Sequence, residues 1–235
     1  MTELATGPSP SAGPLSENSG ATLPVRPGSL GVMGGTFDPI HLGHLAVAEE
    51  AREVLGLARI LFVPAGIPPH KPSAVSASAE ERIAMVGLAI AENPDFELSR
   101  LDVDRAGPSY TADTISLLRA ERLAAGAEAD ITLIMSTETL GGLPSWRDPQ
   151  RLVRQCRVAV VPREGHEGPT RAWLTEHFAG LEDHFHVLAG PRLGISSTAI
   201  RERIAEGRSI RYLVPEAVRR HITDHHLYAH ANRAG

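Results

Sequence analysis

Short apolar runs alternate with segments of helical period along most of this chain. Leu30-Gly31-Val32-Met33-Gly34, Ile60-Leu61-Phe62-Val63, Ile131-Thr132-Leu133-Ile134-Met135 and Val158-Ala159-Val160-Val161 are apolar almost throughout, the pattern of strands buried on both faces. Phe96 to Val103 and His186-Val187-Leu188 read as two more strands. Between them, His44 to Leu55 places Leu45, Ala48, Ala51 and Leu55 on one helical face. Ser78, with Glu81 three residues on, carries a capping-box signature for a helix bearing Ile83, Met85, Val86, Leu88 and Ile90. Further helices are predicted at Tyr110 to Leu123, Pro149 to Gln155, Arg171 to Phe178, Thr198 to Glu206 and Pro215 to His225. This alternation predicts an α/β fold, a doubly wound parallel sheet of five or six strands in a single domain. Ligands of such sheets bind beyond the carboxyl ends of the strands, where strand order reverses, so the chemistry is expected in loops that follow strands.

The two ends fall outside the pattern. Residues 1–28 are rich in Pro, Gly, Ser and Thr and show almost no apolar period, so they cannot bury enough surface to offset their ordering entropy. They are expected to form a disordered tail before a folded domain at 29–230, with 231–235 a short C-terminal tail. The first residues lack a basic flank followed by an apolar stretch, and no run approaches the roughly 18 apolar residues of a membrane span. With a single cysteine, Cys156, excluding an internal disulfide, a reducing cytoplasm is the expected location. Cys156 itself reads as a buried thiol.

The 235 residues carry 23 Lys plus Arg against 28 Asp plus Glu, a formal charge of −5. That balance lacks the broad basic field of a non-specific nucleic-acid binder, but it leaves room for local phosphate binding. Every basic residue is arginine except Lys71.

The first strand runs into Gly34-Gly35-Thr36-Phe37-Asp38-Pro39-Ile40-His41-Leu42-Gly43-His44. Two glycines let backbone approach a ligand closely. Two imidazoles follow at i and i+3, the second opening a helix, where the dipole and free N–H groups collect anions. Imidazole nitrogens there can donate to phosphate oxygens. The glycine spacing fits neither a Walker loop, which needs a Gly-Lys-Ser/Thr ending, nor the dinucleotide fingerprint. A zinc pair or two solvated turn histidines are the plainer alternatives.

Other segments carry chemistry as well. Pro68-Pro69-His70-Lys71 stiffens a loop after the second strand and puts two cationic donors beside the expected cleft. Pro108-Ser109-Tyr110-Thr111 offers hydroxyls that can cap the following helix. Ser136-Thr137-Glu138 ends the fourth strand, and Trp146-Arg147 follows, the arginine a cation that can pair with a carboxylate or stand as a surface charge. Trp173 reads as helix packing. In Ile195-Ser196-Ser197-Thr198-Ala199-Ile200-Arg201, three hydroxyls precede a helix and Arg201 lies one turn inside, where its fork can reach a phosphate. Capping by Ser197 or Thr198 explains part of that string by itself. His221, His225, His226 and His230 fall at helical spacings, but no carboxylate or cysteine partner stands out beside them, so no metal site is expected.

The eleven residues from Gly34 to His44 resemble the nucleotidylyltransferase superfamily, whose signature is His-x-Gly-His after the first strand, and the full string is similar to that of the nicotinate-nucleotide adenylyltransferases. Pro-Pro-His-Lys, Ser-Tyr-Thr-x-Asp-Thr, the tryptophan at 146 and Ile-Ser-Ser-Thr-x-Ile-Arg follow in that family's order, and Tyr212 to Val218 resembles its closing helix. The resemblance runs from about Leu30 to Tyr228. It departs at Ser136-Thr137-Glu138, where the family usually has Gly-Ala-Asp; Ser136 adds a side chain, and Glu138 keeps the carboxylate but lengthens it.

The resemblance implies a Rossmann-like domain that transfers AMP from ATP to nicotinic acid mononucleotide, releasing pyrophosphate and making deamido-NAD. It assigns ATP to Gly34, Gly35, Thr36, Phe37, His41, His44, Glu138, Ser196, Ser197, Thr198 and Arg201, with His41, His44 and Arg201 as catalytic contacts. It assigns the mononucleotide to Thr36, His70, Lys71, Tyr110, Thr111, Trp146 and Arg147. Mg²⁺ is expected to ride on the ATP phosphates with waters, so no dedicated acidic cage is needed. The partners implied are the two substrates, with no nucleic acid and no membrane, and a homo-oligomer is compatible with the sequence. Two alternatives stay open: an adenylyltransferase for nicotinamide mononucleotide or phosphopantetheine, and a nucleotide-binding regulatory module with weak turnover.

Overall fold

A computed structural model describes residues 22–69, 75–166 and 168–229. Its strands are β1 (Arg26–Gly35), β2 (Leu57–Pro64), β3 (Phe96–Leu98), β4 (Ile131–Ser136), β5 (Arg157–Val161) and β6 (Phe185–Val187). The helices are α1 (Leu42–Val54), α2 (Ala79–Ile90), α3 (Leu101–Asp104), α4 (Thr111–Ala124), α5 (Thr137–Gly142), α6 (Pro149–Gln155), α7 (Arg171–Phe178), α8 (Ser197–Ala205) and α9 (Glu216–Asp224), with single 3₁₀ turns at Leu143–Ser145 and Glu182–His184. All six strands are parallel and lie in the order β3-β2-β1-β4-β5-β6. This is the doubly wound, Rossmann-like order, and it reverses between β1 and β4.

The alternation of side chains along each strand builds two cores, one per sheet face. Met33, Ile60, Phe62, Ile134, Ala159 and Val161 face the core shared with α1, α2, α8 and α9. Leu30, Val32, Leu61, Val63, Leu133, Val158 and Val160 face the core shared with α4, α6 and α7. Gly31 is required by the first of these, since a Cβ there would collide with the Ile60 side chain. Burial on both faces is why these strands read as continuous apolar runs. Among the described residues no helix is long and apolar enough to cross a membrane.

Several elements depart from the pattern. β1 begins at Arg26, four residues before the first apolar position at Leu30; Arg26 is fastened by an ion pair to Asp130 and by its N–H to Gly56 O at 2.8 Å. Polar fastening of this kind has no hydrophobic period to reveal it. The strand expected over Phe96 to Val103 stops at Leu98, and Leu101–Asp104 is a helical turn whose buried Asp102 accepts hydrogen bonds from Arg105 and Thr114. The expected capping box of α2 is half made: Ser78 Oγ accepts from Glu81 N at 3.2 Å, while the Glu81 carboxylate turns to α9 instead. Cys156 is buried, and desolvation pushes its thiol up to about 12. Trp173 packs in α7, stacked on His177 at 4.5 Å.

Candidate active site

A cleft of about 620 Å³ opens at the carboxyl ends of β1 and β4, where strand order reverses. Gly34 and Gly35 line it from the end of β1, Thr36, Phe37 and His41 from the β1–α1 loop, and His44 from the first turn of α1. Thr111, Ser136, Glu138 and Trp146 line it from α4, β4, α5 and the turn after α5, and Arg163 from beyond β5. Ser196, Ser197 and Thr198 close it from the start of α8. Twelve of the sequence-expected residues thus share one cavity. Of the others, His70 and Lys71 lie outside the described residues, and Tyr110, Arg147 and Arg201 do not line it.

The glycines act differently from one another. A Cβ at Gly34 would meet nothing within 4 Å, so this backbone faces open cleft. A Cβ at Gly35 would press the Phe37 ring at 3.0 Å. Phe37 has φ +52, a left-handed conformation that costs a side-chain residue on the order of 1–3 kcal/mol. It is held there by burial of its ring against Phe62 and His44, with centroids 5.9 and 5.1 Å away. Gly43 gives His41 its room: a Cβ would sit 3.0 Å from His41 Nδ1. The His-x-Gly-His spacing therefore has a steric cause.

His41 is the N-cap of α1, and its ring stacks on His44 with centroids 3.7 Å apart. The His41 backbone N–H donates to His44 Nδ1 at 3.2 Å. Accepting there leaves the proton of the neutral ring on Nε2, so His44 is set as a donor. Burial and the nearby Arg163 lower the His41 pKa from 6.5 to about 4. Burial, His41 and Arg163 hold His44 well below 6.5. Both imidazoles are therefore neutral near pH 7. His41 Nδ1 is buried and has no hydrogen-bond partner among the described residues.

The second helix start is tied to the first. Ser197 Oγ donates to Pro39 O at 2.8 Å, and Arg201 Nη1 donates to Asp38 O at 2.7 Å. The cap of α8 is Ser196, whose Oγ accepts from Ala199 N, rather than Ser197 or Thr198. Arg201 braces the β1–α1 loop through Asp38 and does not line the cleft. Likewise no hydroxyl caps α4. Its N-cap is Tyr110 with no side-chain bond, because Ser109 Oγ accepts from Gly66 N and Thr114 Oγ1 donates to Asp102. The Tyr110 ring instead carries the Arg147 guanidinium 4.6 Å above it, beside Trp146.

The departure at the end of β4 has a local explanation. Ser136 caps α5, its Oγ accepting from Thr139 N at 3.2 Å. Thr137 is buried, and its hydroxyl accepts from Arg163 N and donates to His166 O, fastening β4 to the segment after β5. Glu138 pairs with Arg163 at the cleft mouth.

Three residues escaped the sequence reading. Arg163 follows β5 and Pro162, and position after a strand end was its only signal. Asp38, 3% exposed, accepts from Ser76 N, Ala77 N and Tyr228 OH, so one carboxylate holds the loop, the stretch before α2 and the C-terminal segment. Arg82, 1% exposed inside α2, donates to Thr36 O and Gly66 O and pins the loop from beneath. Neither residue carries a local signal, since each acts across the fold.

The cytidylyltransferase-like family description matches residues 32–203. A protein of Roseiflexus sp. (strain RS-1) named "Probable nicotinate-nucleotide adenylyltransferase" is 46% identical over 199 residues, covering 85% of this chain and 97% of its own. This chain belongs to that family. A like-named protein of Thermomicrobium roseum is 41% identical over 85% of this chain and 91% of its own length. The fold is shared with a more distant solved structure. The solved Plasmodium falciparum nicotinic acid mononucleotide adenylyltransferase in complex with NaAD superposes with TM-score 0.69 at 16% identity, covering 85% of this chain and 97% of that one.

Proposed function

We propose that this chain transfers AMP from ATP to nicotinic acid mononucleotide, giving deamido-NAD and pyrophosphate. The relatives' names support the reaction. The observation that carries it is that two helix starts, at His41–His44 and Ser196–Thr198, meet at one cleft and are joined through Ser197 and Pro39.

The nucleophile is a phosphate monoester, ionised at neutral pH. A mononucleotide oxygen forms a bond to the α-phosphorus of ATP as the bond to the bridging oxygen breaks, and pyrophosphate leaves with that electron pair. No proton has to be removed, so the task is alignment and charge stabilisation. Neutral His44, with its proton on Nε2, donates to a phosphate oxygen without reorganising. His41 serves the neighbouring phosphate. Gly34 and Gly35 admit the nucleotide to the strand ends, Thr36 and Phe37 border it, and Ser196, Ser197 and Thr198 supply donors to the triphosphate. Arg201 assists from behind by holding the loop, and Arg163 adds a cation opposite the histidines. Thr111 and Trp146 hold the mononucleotide, the indole against the pyridinium face, with Tyr110 and Arg147 beside them and His70 and Lys71 on the adjoining loop.

Mg²⁺ enters as part of the MgATP substrate. The carboxylates on the cleft wall fit that role for the ion: Asp38 is committed to two backbone N–H groups and Tyr228, and Glu138 to Arg163. The test is pyrophosphate release with ATP and each of three acceptors. Nicotinic acid mononucleotide is expected to give the highest kcat/KM. Faster release with nicotinamide mononucleotide or phosphopantetheine would reassign the substrate, and no release with any of the three would mark the chain as a binding module.

A further inference from the structure

Away from the cleft, His221 of α9 and His225, which caps its C-terminus, meet a carboxylate that lies far off in sequence. His221 Nε2 is 2.6 Å from Glu81 Oε2, and His225 Nδ1 is 3.1 Å from Glu81 Oε1. The two rings stack with centroids 4.1 Å apart. Their spacing of four residues places both on one helical face, turned to the first turn of α2. All three ligand atoms lie within 4.8 Å of one another. His225 is 48% exposed at its side chain and His221 12%, so the group is open to solvent on one side and seated on the other.

We propose that Glu81, His221 and His225 form a binding site for a divalent cation of the zinc class. Two imidazoles and one carboxylate are a ligand set for Zn²⁺ rather than for Mg²⁺ or Ca²⁺, which take oxygen shells. Around a tetrahedral zinc, with bonds of about 2.0–2.2 Å, ligand atoms stand roughly 3.3 Å apart. The present contacts reach that by opening less than about 1 Å, which side-chain rotation supplies. Three protein ligands leave the fourth position for water. On binding, each imidazole nitrogen facing Glu81 must offer a lone pair. A neutral ring does this by moving its proton to the other nitrogen, and a charged ring by releasing one to solvent.

The cation would clamp α2 to α9. That clamp borders the Asp38 network, because Arg82 follows Glu81 and Tyr228 follows α9. It would stabilise the fold without entering the cleft.

The test uses the full chain dialysed against chelator, with ZnCl₂ as the probe and equilibrium dialysis and thermal melting as readouts. Wild type is expected to bind one zinc equivalent that raises Tm, and MgCl₂ alone to leave Tm unmoved. His225→Ala and Glu81→Gln should weaken that equivalent at least about tenfold, the smaller loss seen when even an outer partner of a metal site is removed. Both should also lose the Tm rise. Their circular dichroism and zinc-free turnover should match wild type. His41→Asn, altered in the cleft, should keep the equivalent. Failure of wild type to bind zinc, unchanged binding in both α2–α9 variants, or loss of the equivalent in His41→Asn would each overturn the assignment.

Discussion

Lowering the pH should destabilise the protein by protonating the imidazoles at the start of α1, and His41 sets the size of the effect. Its ring is 6% exposed, and its pKa falls from 6.5 to about 4, first through burial and then through Arg163. An unfolded chain takes up this proton as pH falls through 6.5, whereas the folded chain resists until about 4. Between those values the unfolded state binds more protons, so stability rises with pH across the window and is lost as pH falls through it. At pH 5 the unfolded histidine is nearly all charged and the folded one nearly all neutral, and the linkage integral from pH 7 to 5 is about 2 kcal/mol. His44 shifts in the same direction and adds to the loss. The assay is urea unfolding at both pH values for wild type and His41→Asn. The asparagine keeps the backbone N–H that donates to His44 Nδ1. Titrating carboxylates are common to both proteins and cancel. Wild type should lose about 2 kcal/mol more than the variant, a midpoint difference of roughly 1 M urea at an m-value of about 2 kcal/mol/M. Midpoints that fall in parallel would refute the claim that the folded protein holds His41 neutral by burial.

Other consequences of the site can be checked kinetically. His44→Ala should lower kcat by about a hundredfold or more, the scale for loss of one oriented donor, with little change in either KM; steady-state rates decide, and a near-normal kcat removes His44 from the reaction. Trp146→Ala should raise the KM for the mononucleotide severalfold while the KM for ATP holds, and an unchanged mononucleotide KM would refute stacking. Gly43→Ala should cut kcat with a modest fall in Tm, because the new Cβ lands 3.0 Å from His41 Nδ1 and tilts that ring; wild-type kcat would show that the ring has room to spare.

Much of the fold was legible because its strands are buried on both faces. Runs such as Ile60-Leu61-Phe62-Val63 and Val158-Ala159-Val160-Val161 leave no other economical reading, and α6 and α7 fall where their periodicity put them. The first loop was legible for a local reason: glycines, imidazoles and the helix start that uses them are contiguous. Capping was legible only in part, because hydroxyls at 109, 114 and 197 had partners elsewhere that competed with the nearest helix end.

Local pattern in this chain dictates which segments become strands or helices and which loop gathers glycines and imidazoles at a helix start, since those depend on neighbours within a few residues. Folding alone decides that Arg163 lines the same cleft as the histidines, that Asp38 ties three distant segments together and that Glu81 meets His221 across 140 positions. It also decides that His41 is neutral. A pKa reports the desolvation and charge around a ring, and those surroundings exist only once chain segments far apart in sequence have packed against it.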